Sequence, residues 1–242
     1  MFAHTQAVFL HVPKTAGVST LEALRQAFGA PLPMPPGLIH PSHRLIPARA
    51  AEAPRFCVVR NPWLWHASLY QFCKQRGSAL SPLMSRLSRG FQDGFETTLP
   101  RLLDMSRADL SFCVQMMASQ RHGGRAEMAD LGAMVKSIGS VGFYGALHAC
   151  ISGPNCDALC LSRLDIDLPA WCLARAGVLC AAPGRLNASS GPSLVWSPSL
   201  IEMVRQREPL MVDGFGYKFG DPEAGRGVWR QSSLALAPPL QT

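Results

Sequence analysis

The apolar positions fall into short blocks separated by prolines, glycines and polar turns. Ala7 to Val12 is an apolar, partly β-branched run that suits a buried strand, and Pro13 ends it. A short polar turn follows, holding Lys14, Thr15 and one glycine, Gly17. From Ser19 to Phe28 the spacing changes: Leu21, Leu24 and Phe28 recur at intervals of three and four, which predicts a helix. Residues 29–54 are proline-rich and read as an ordered loop crossing to the next strand, Arg55 to Val59. Asn61 and Pro62 then look like the cap and first residue of a helix running to Lys74, with Trp63, Ala67, Tyr70 and Cys73 or Lys74 on one stripe.

Residues 77–139 read as mostly helical, in segments near 81–89, 94–104 and 108–119, with a break at His122-Gly123-Gly124. Val141 to Leu147 reads as a third strand. Asp157–Leu164 and Pro169–Gly177 read as helices, and 183–198 as a long polar loop. Ser197-Pro198 opens a last helix through Arg207 or Glu208. The tail from residue 221 is rich in small residues and proline and reads as loose, leaving 1–220 as one domain. Strands alternating with helices predict an α/β fold, one domain with a central parallel sheet flanked by helices.

The 242 residues suffice for a sizeable core, and 16% charged against 48% hydrophobic residues excludes a disordered chain. The net charge is +7, and arginine outnumbers lysine 19 to 4. That balance favours anionic ligands such as phosphates, sulfates or acidic glycans. No basic run of five or more appears, which argues against nucleic acid. No signal peptide is visible, since Ala7–Val12 is short and Pro13-Lys14 ends it. No stretch approaches the ~18–20 apolar residues of a membrane span, so the expected location is cytoplasmic, without stable membrane insertion. Five of the eight cysteines, Cys150, Cys156, Cys160, Cys172 and Cys180, have spacings that match no common zinc pattern. They read as reduced, buried thiols, and no metal is expected.

Strand, tight turn and helix together present backbone N–H groups and a positive helix end to a phosphate, with Lys14 adding a mobile charge and Thr15, Ser19 and Thr20 hydroxyls. The spacing differs from G-x-x-x-x-G-K-[ST], because Lys14 precedes Gly17. The segment His11-Val12-Pro13-Lys14-Thr15-Ala16-Gly17-Val18-Ser19-Thr20 resembles the HxPKTxGTS segment of membrane-type and bacterial sulfotransferases. There it holds the 5′-phosphosulfate end of the donor PAPS (3′-phosphoadenosine 5′-phosphosulfate). Val58-Val59-Arg60-Asn61-Pro62-Trp63 with Ser68 and Tyr70 resembles the second signature of that family, VRNPWxRxxSxY. Its arginine and serine bind the 3′-phosphate of PAPS. Leu186-Asn187-Ala188-Ser189 with Phe215-Gly216-Tyr217 resembles the C-terminal LNxS…FGY pattern.

The resemblance implies a P-loop NTPase-like fold and a PAPS-dependent sulfotransferase. Its donor would be held by Lys14, Thr15, Ala16, Gly17, Val18, Ser19 and Thr20 at the 5′ end and by Arg60 and Ser68 at the 3′ end. The implied acceptor is a hydroxyl compound, a carbohydrate or glycolipid first, with a small-molecule or phenolic acceptor or a peptide tyrosine left open. Sulfuryl transfer needs charge neutralised on the leaving phosphate, the role of Lys14, and a base for the acceptor proton. His40 occupies the place of a histidine that looks catalytic in relatives, with His43 the runner-up; His11 and His66 read as structural. The chain departs from the family in two places. Trp65 stands where many relatives carry arginine, and Gly145-Ala146-Leu147-His148 lacks the charges of a GRxE segment. A small-molecule kinase and a non-catalytic nucleotide-binding protein stay open as alternatives.

Overall fold

The protein is described from a computed structural model, covering residues 1–33, 45–76, 80–119, 125–184, 194–221 and 229–230. It is an α/β fold: a mixed sheet of short strands packed on both faces by helices. In chain order the elements are β1 (Phe2–Ala3), β2 (Val8–Leu10), α1 (Gly17–Phe28), β3 (Arg55–Val59), α2 (Pro62–Gln75), α3 (Ser81–Leu87), α4 (Phe95–Leu103), α5 (Arg107–Ser119), α6 (Arg125–Val141), α7 (Phe143–Ser152), β4 (Asp157–Cys160), α8 (Leu164–Trp171), α9 (Pro198–Arg207) and β5 (Trp229–Arg230).

The sheet order is β1-β2-β3-β4-β5. The inner strands β2, β3 and β4 are parallel, with Phe9 opposite Phe56 and Cys57 opposite Ala158. The edge strands run antiparallel, so the parallel sheet read from the sequence is the centre of a mixed one. β5 comes from the tail that composition marks as loose.

Strand alternation divides the core. Phe9, Phe56, Val58 and Leu159 face α1 and α8, meeting Ala23, Leu24, Leu164, Leu168 and Trp171. Val8, Leu10, Cys57, Val59, Ala158 and Cys160 face the opposite way, into the larger cluster built by the remaining helices. The carboxyl ends of β2, β3 and β4 therefore emerge along one edge, where α/β sheets gather ligands.

Two sequence readings are overturned. The expected strand Val141–Leu147 is helical, lying across the end of α6 and the start of α7. Phe143 through His148 are all buried, so the segment is apolar all round and shows no period by which to tell helix from strand. The expected helix Asp157–Leu164 begins as β4, four buried residues, and turns helical only from Leu161. Its helix is α8, prolonged by a π-helical turn over Cys172–Ala176 that stops at left-handed Gly177. Helix starts were better marked. Asn61 Oδ1 accepts from the Leu64 N–H at 3.4 Å, and Ser197 Oγ from the Leu200 N–H at 3.3 Å. Among the described residues, no helix is long and apolar enough to cross a membrane.

Candidate anion-binding site

The loop between β2 and α1 is held in an unusual backbone path. Lys14 (φ 66°) and Ala16 (φ 58°) are both left-handed, although neither is glycine. Such residues cost about 1–2 kcal/mol each and persist where the surroundings fix them. The Thr15 hydroxyl, fully buried, donates to the Val12 carbonyl at 2.7 Å, and the Thr20 hydroxyl donates to the Ala16 carbonyl at 3.0 Å. These hydroxyls, read from the sequence as ligand donors, fasten the loop. Gly17 opens α1 because nothing larger fits: a Cβ there would lie 1.9 Å from Nε2 of His11. His11 thus orders the loop by packing on it. α1 begins with no side-chain cap and no acid in its first turn, so its positive end is not neutralised from within the helix. Ser19 is buried in that turn, and Val18 is half exposed beside it.

Arg60 leaves β3 directly beside this loop. Its guanidinium donates to the Lys14 carbonyl at 3.3 Å, and its backbone N–H donates to the Tyr144 hydroxyl at 2.9 Å. The Lys14 ammonium lies over the Phe72 ring, 3.7 Å from its centroid. Burial pushes the Lys14 pKa down, and the charges of Arg60 and Arg76 push the same way. Burial also lowers the Arg60 pKa. Among the described residues no carboxylate pairs with Lys14, Arg60 or Arg76. Several other arginines are paired: Arg89 and Arg101 share Asp93, Arg86 holds Asp109, and Arg175 holds Asp157.

One face of α2 forms the wall of the site. Trp65, Ser68, Phe72 and Arg76 succeed one another at helical intervals. Trp65 donates its indole N–H to the Pro13 carbonyl at 2.8 Å and stacks on Tyr144, with centroids 4.2 Å apart and planes 3° from parallel. The Trp65 ring therefore anchors the lysine loop. Ser68 is buried on the same face. Asn61 ties in the C-terminal segment, donating to the carbonyls of Lys218 (2.9 Å) and Asp221 (3.2 Å). Phe215 and Tyr217 of that segment are buried, with the Tyr217 hydroxyl 3.3 Å from Cys160 Sγ.

Behind the site lies a second polar group. Glu208 is fully buried at the end of α9. Its Oε1 accepts from the Tyr144 N–H (3.0 Å) and lies 2.9 Å from His66 Nε2; its Oε2 accepts from the Gly145 N–H (3.1 Å). The carboxylate caps α7 at the positive end of the helix. Gly142 (φ 85°) permits this, since a Cβ there would fall 2.3 Å from both the Arg207 carbonyl and Glu208 Oε2. His66 is structural, as its place on α2 suggests. His148 lies 3.3 Å from Cys57 Sγ in the core.

The structure thus brings together Lys14, the 15–20 turn, Arg60 and the α2 face that carries Ser68. His40, His43 and the 186–189 motif lie outside the described residues. The sequence reading missed Tyr144, hidden in the run taken for a strand, and Phe72 and Arg76, which continue the α2 spacing from Ser68. It also missed Glu208, taken only as a helix end. All eight cysteines are free thiols. No family model, curated protein or solved structure matches the chain.

Proposed function

We propose that the protein is a PAPS-dependent sulfotransferase with a P-loop NTPase-like fold, moving a sulfuryl group to the hydroxyl of a carbohydrate or glycolipid. The observation that carries this reading is the pair Lys14 and Arg60. These are two half-buried cations joined through the Lys14 carbonyl, without a carboxylate partner among the described residues, at the carboxyl ends of the parallel inner strands. Unpaired buried cations are costly unless a ligand supplies the counter-charge. A donor with phosphates at both ends of a nucleoside supplies two.

In this reading the α1 turn, from Thr15 to Thr20, and Lys14 hold the phosphosulfate, and Arg60 with Ser68 holds the 3′-phosphate. The acceptor oxygen attacks sulfur in line, the bond from sulfur to the phosphate oxygen breaks, and adenosine 3′,5′-bisphosphate leaves. Lys14 neutralises the charge on that leaving phosphate. The acceptor proton goes to a base, for which the sequence offers His40 first and His43 second. A kinase is less well supported, because the ligand end of β4 carries Cys160 and Leu161 rather than a carboxylate for Mg²⁺.

Thermal unfolding with three nucleotides tests the donor. Adenosine 3′,5′-bisphosphate at 100-fold over its Kd should stabilise the protein by about 2.7 kcal/mol. AMP and ATP at equal concentration should do much less. An equal shift with AMP removes the 3′-phosphate from the reading, and a shift with ATP alone turns it toward the kinase.

A further inference from the structure

Folding brings cysteines together in pairs that their spacing in the chain does not announce. Cys172 and Cys180 are hydrogen bonded side chain to side chain, and so are Cys57 and Cys156. The turn after α8 makes the first pair. It ends at left-handed Gly177 (φ 67°), where the Gly177 N–H donates to the Leu173 carbonyl at 3.1 Å and the Val178 N–H to the Cys172 carbonyl at 3.3 Å. The chain thereby doubles back. Cys180 packs with Cys172 against α1, its Sγ 3.8 Å from the Ala23 carbonyl oxygen.

The two pairs differ in access. Cys57 and Cys156 are both buried, so a reagent in water reaches neither sulfur. Cys172 is buried too, but Cys180 is partly exposed and lies between exposed Leu179 and Ala181. The hydrogen bond with Cys172 holds the Cys180 thiol below its ordinary pKa against the opposing effect of burial. The same contact, with burial, pushes Cys172 up. The proton therefore rests on the inner sulfur and the thiolate character on the outer one. Thiolate character, access and an adjacent second thiol are what an oxidation-sensitive cysteine requires.

We propose that Cys180 is a site of oxidation by hydroperoxides, with Cys172 as the thiol that resolves it into a disulfide. The Cys180 sulfur attacks one peroxide oxygen and the O–O bond breaks. The other oxygen takes a proton and leaves as water or an alcohol, and the sulfur, oxidised by two electrons, becomes a sulfenic acid. The Cys172 sulfur then attacks the Cys180 sulfur. The S–O bond breaks, and the departing hydroxide takes the Cys172 proton and leaves as water. The sulfurs need only close from hydrogen-bonding distance to about 2.05 Å. This chemistry does not depend on the donor reading above.

The test treats the full chain, freshly reduced, with hydrogen peroxide near neutral pH, then unfolds and alkylates it. Two of the eight thiols should be lost to alkylation and the intact mass should fall by two hydrogens. Arg175 lies between the pair, so trypsin leaves Cys172 on the peptide 164–175 and Cys180 on 176–185. These two peptides should appear joined, and reductant should separate them. Cys172→Ala should stop at a Cys180 sulfenic acid that dimedone captures, and Cys180→Ser should lose the reaction. Should either variant misfold, the wild-type peptide map decides alone. Oxidation that falls first on Cys150, the other partly exposed thiol, or on the Cys57 and Cys156 pair overturns the proposal. So does a Cys180 that resists peroxide, or one that proceeds to the sulfinic acid while Cys172 stays reduced.

Discussion

A buried polar group and a half-buried one lie back to back along α2, and they are built on opposite plans. Glu208 has its carboxylate met by two backbone N–H groups and one imidazole, with an empty glycine beside it to make the room. Lys14 and Arg60 have cations that meet a carbonyl, an aromatic face and each other. A satisfied buried charge holds a fold together, because removing it orphans all its partners at once. An unsatisfied pair does the reverse: it costs the fold something and gains its partner only on binding. The two are linked through Tyr144, whose N–H binds Glu208, whose ring carries Trp65 and whose hydroxyl accepts from the Arg60 N–H. The rigid group thus positions the poised one.

Substitutions can break this contrast. The largest effect should come from Glu208→Ala, which leaves two N–H donors and His66 without their acceptor. We expect a loss of about 3–5 kcal/mol in urea unfolding, with Glu208→Gln losing less because one acceptor remains. A loss under about 1 kcal/mol would show that the carboxylate is not structural.

Arg60→Met should do the opposite. Stability of the ligand-free protein should hold or rise, since a buried cation becomes an apolar chain of similar length. Affinity for adenosine 3′,5′-bisphosphate should fall by about 1.5–3 kcal/mol, roughly ten- to a hundredfold in Kd. Equal losses of stability and affinity would erase the distinction between the two groups.

Gly17→Ala tests the packing of the loop. Its new methyl meets the His11 ring, and the resulting overpacking should cost about 1–3 kcal/mol in thermal unfolding. Adding His11→Ala should recover part of that loss, a non-additivity that two independent sites would not show. The smallest effect is a gain: Ala16→Gly removes a left-handed alanine and should stabilise by up to about 1 kcal/mol, offset in part by the freer unfolded chain. No gain at all would mean that the loop path carries no strain at Ala16.

By itself the sequence determined the strands Val8–Leu10 and Arg55–Val59, the loop between the first of them and α1, and the cap at Asn61. These are local matters. A proline ends the strand, a glycine admits a ring, and an asparagine side chain reaches an N–H three residues on. It also brought Lys14 and Arg60 to one sheet edge, where they meet, because each follows a parallel strand ending there. The helix α7 and strand β4 were decided only by the tertiary structure. Both are buried throughout, and burial on all sides removes the alternation by which a chain declares its period. Tertiary structure alone also decided that Thr15 and Thr20 serve the loop, that Trp65 anchors it, and that Glu208 reaches Tyr144 across 64 residues. A hydroxyl, an indole or a carboxylate bonds whatever packing brings near it, and in these cases the partner comes from an element that the residue's own neighbourhood in the chain does not announce.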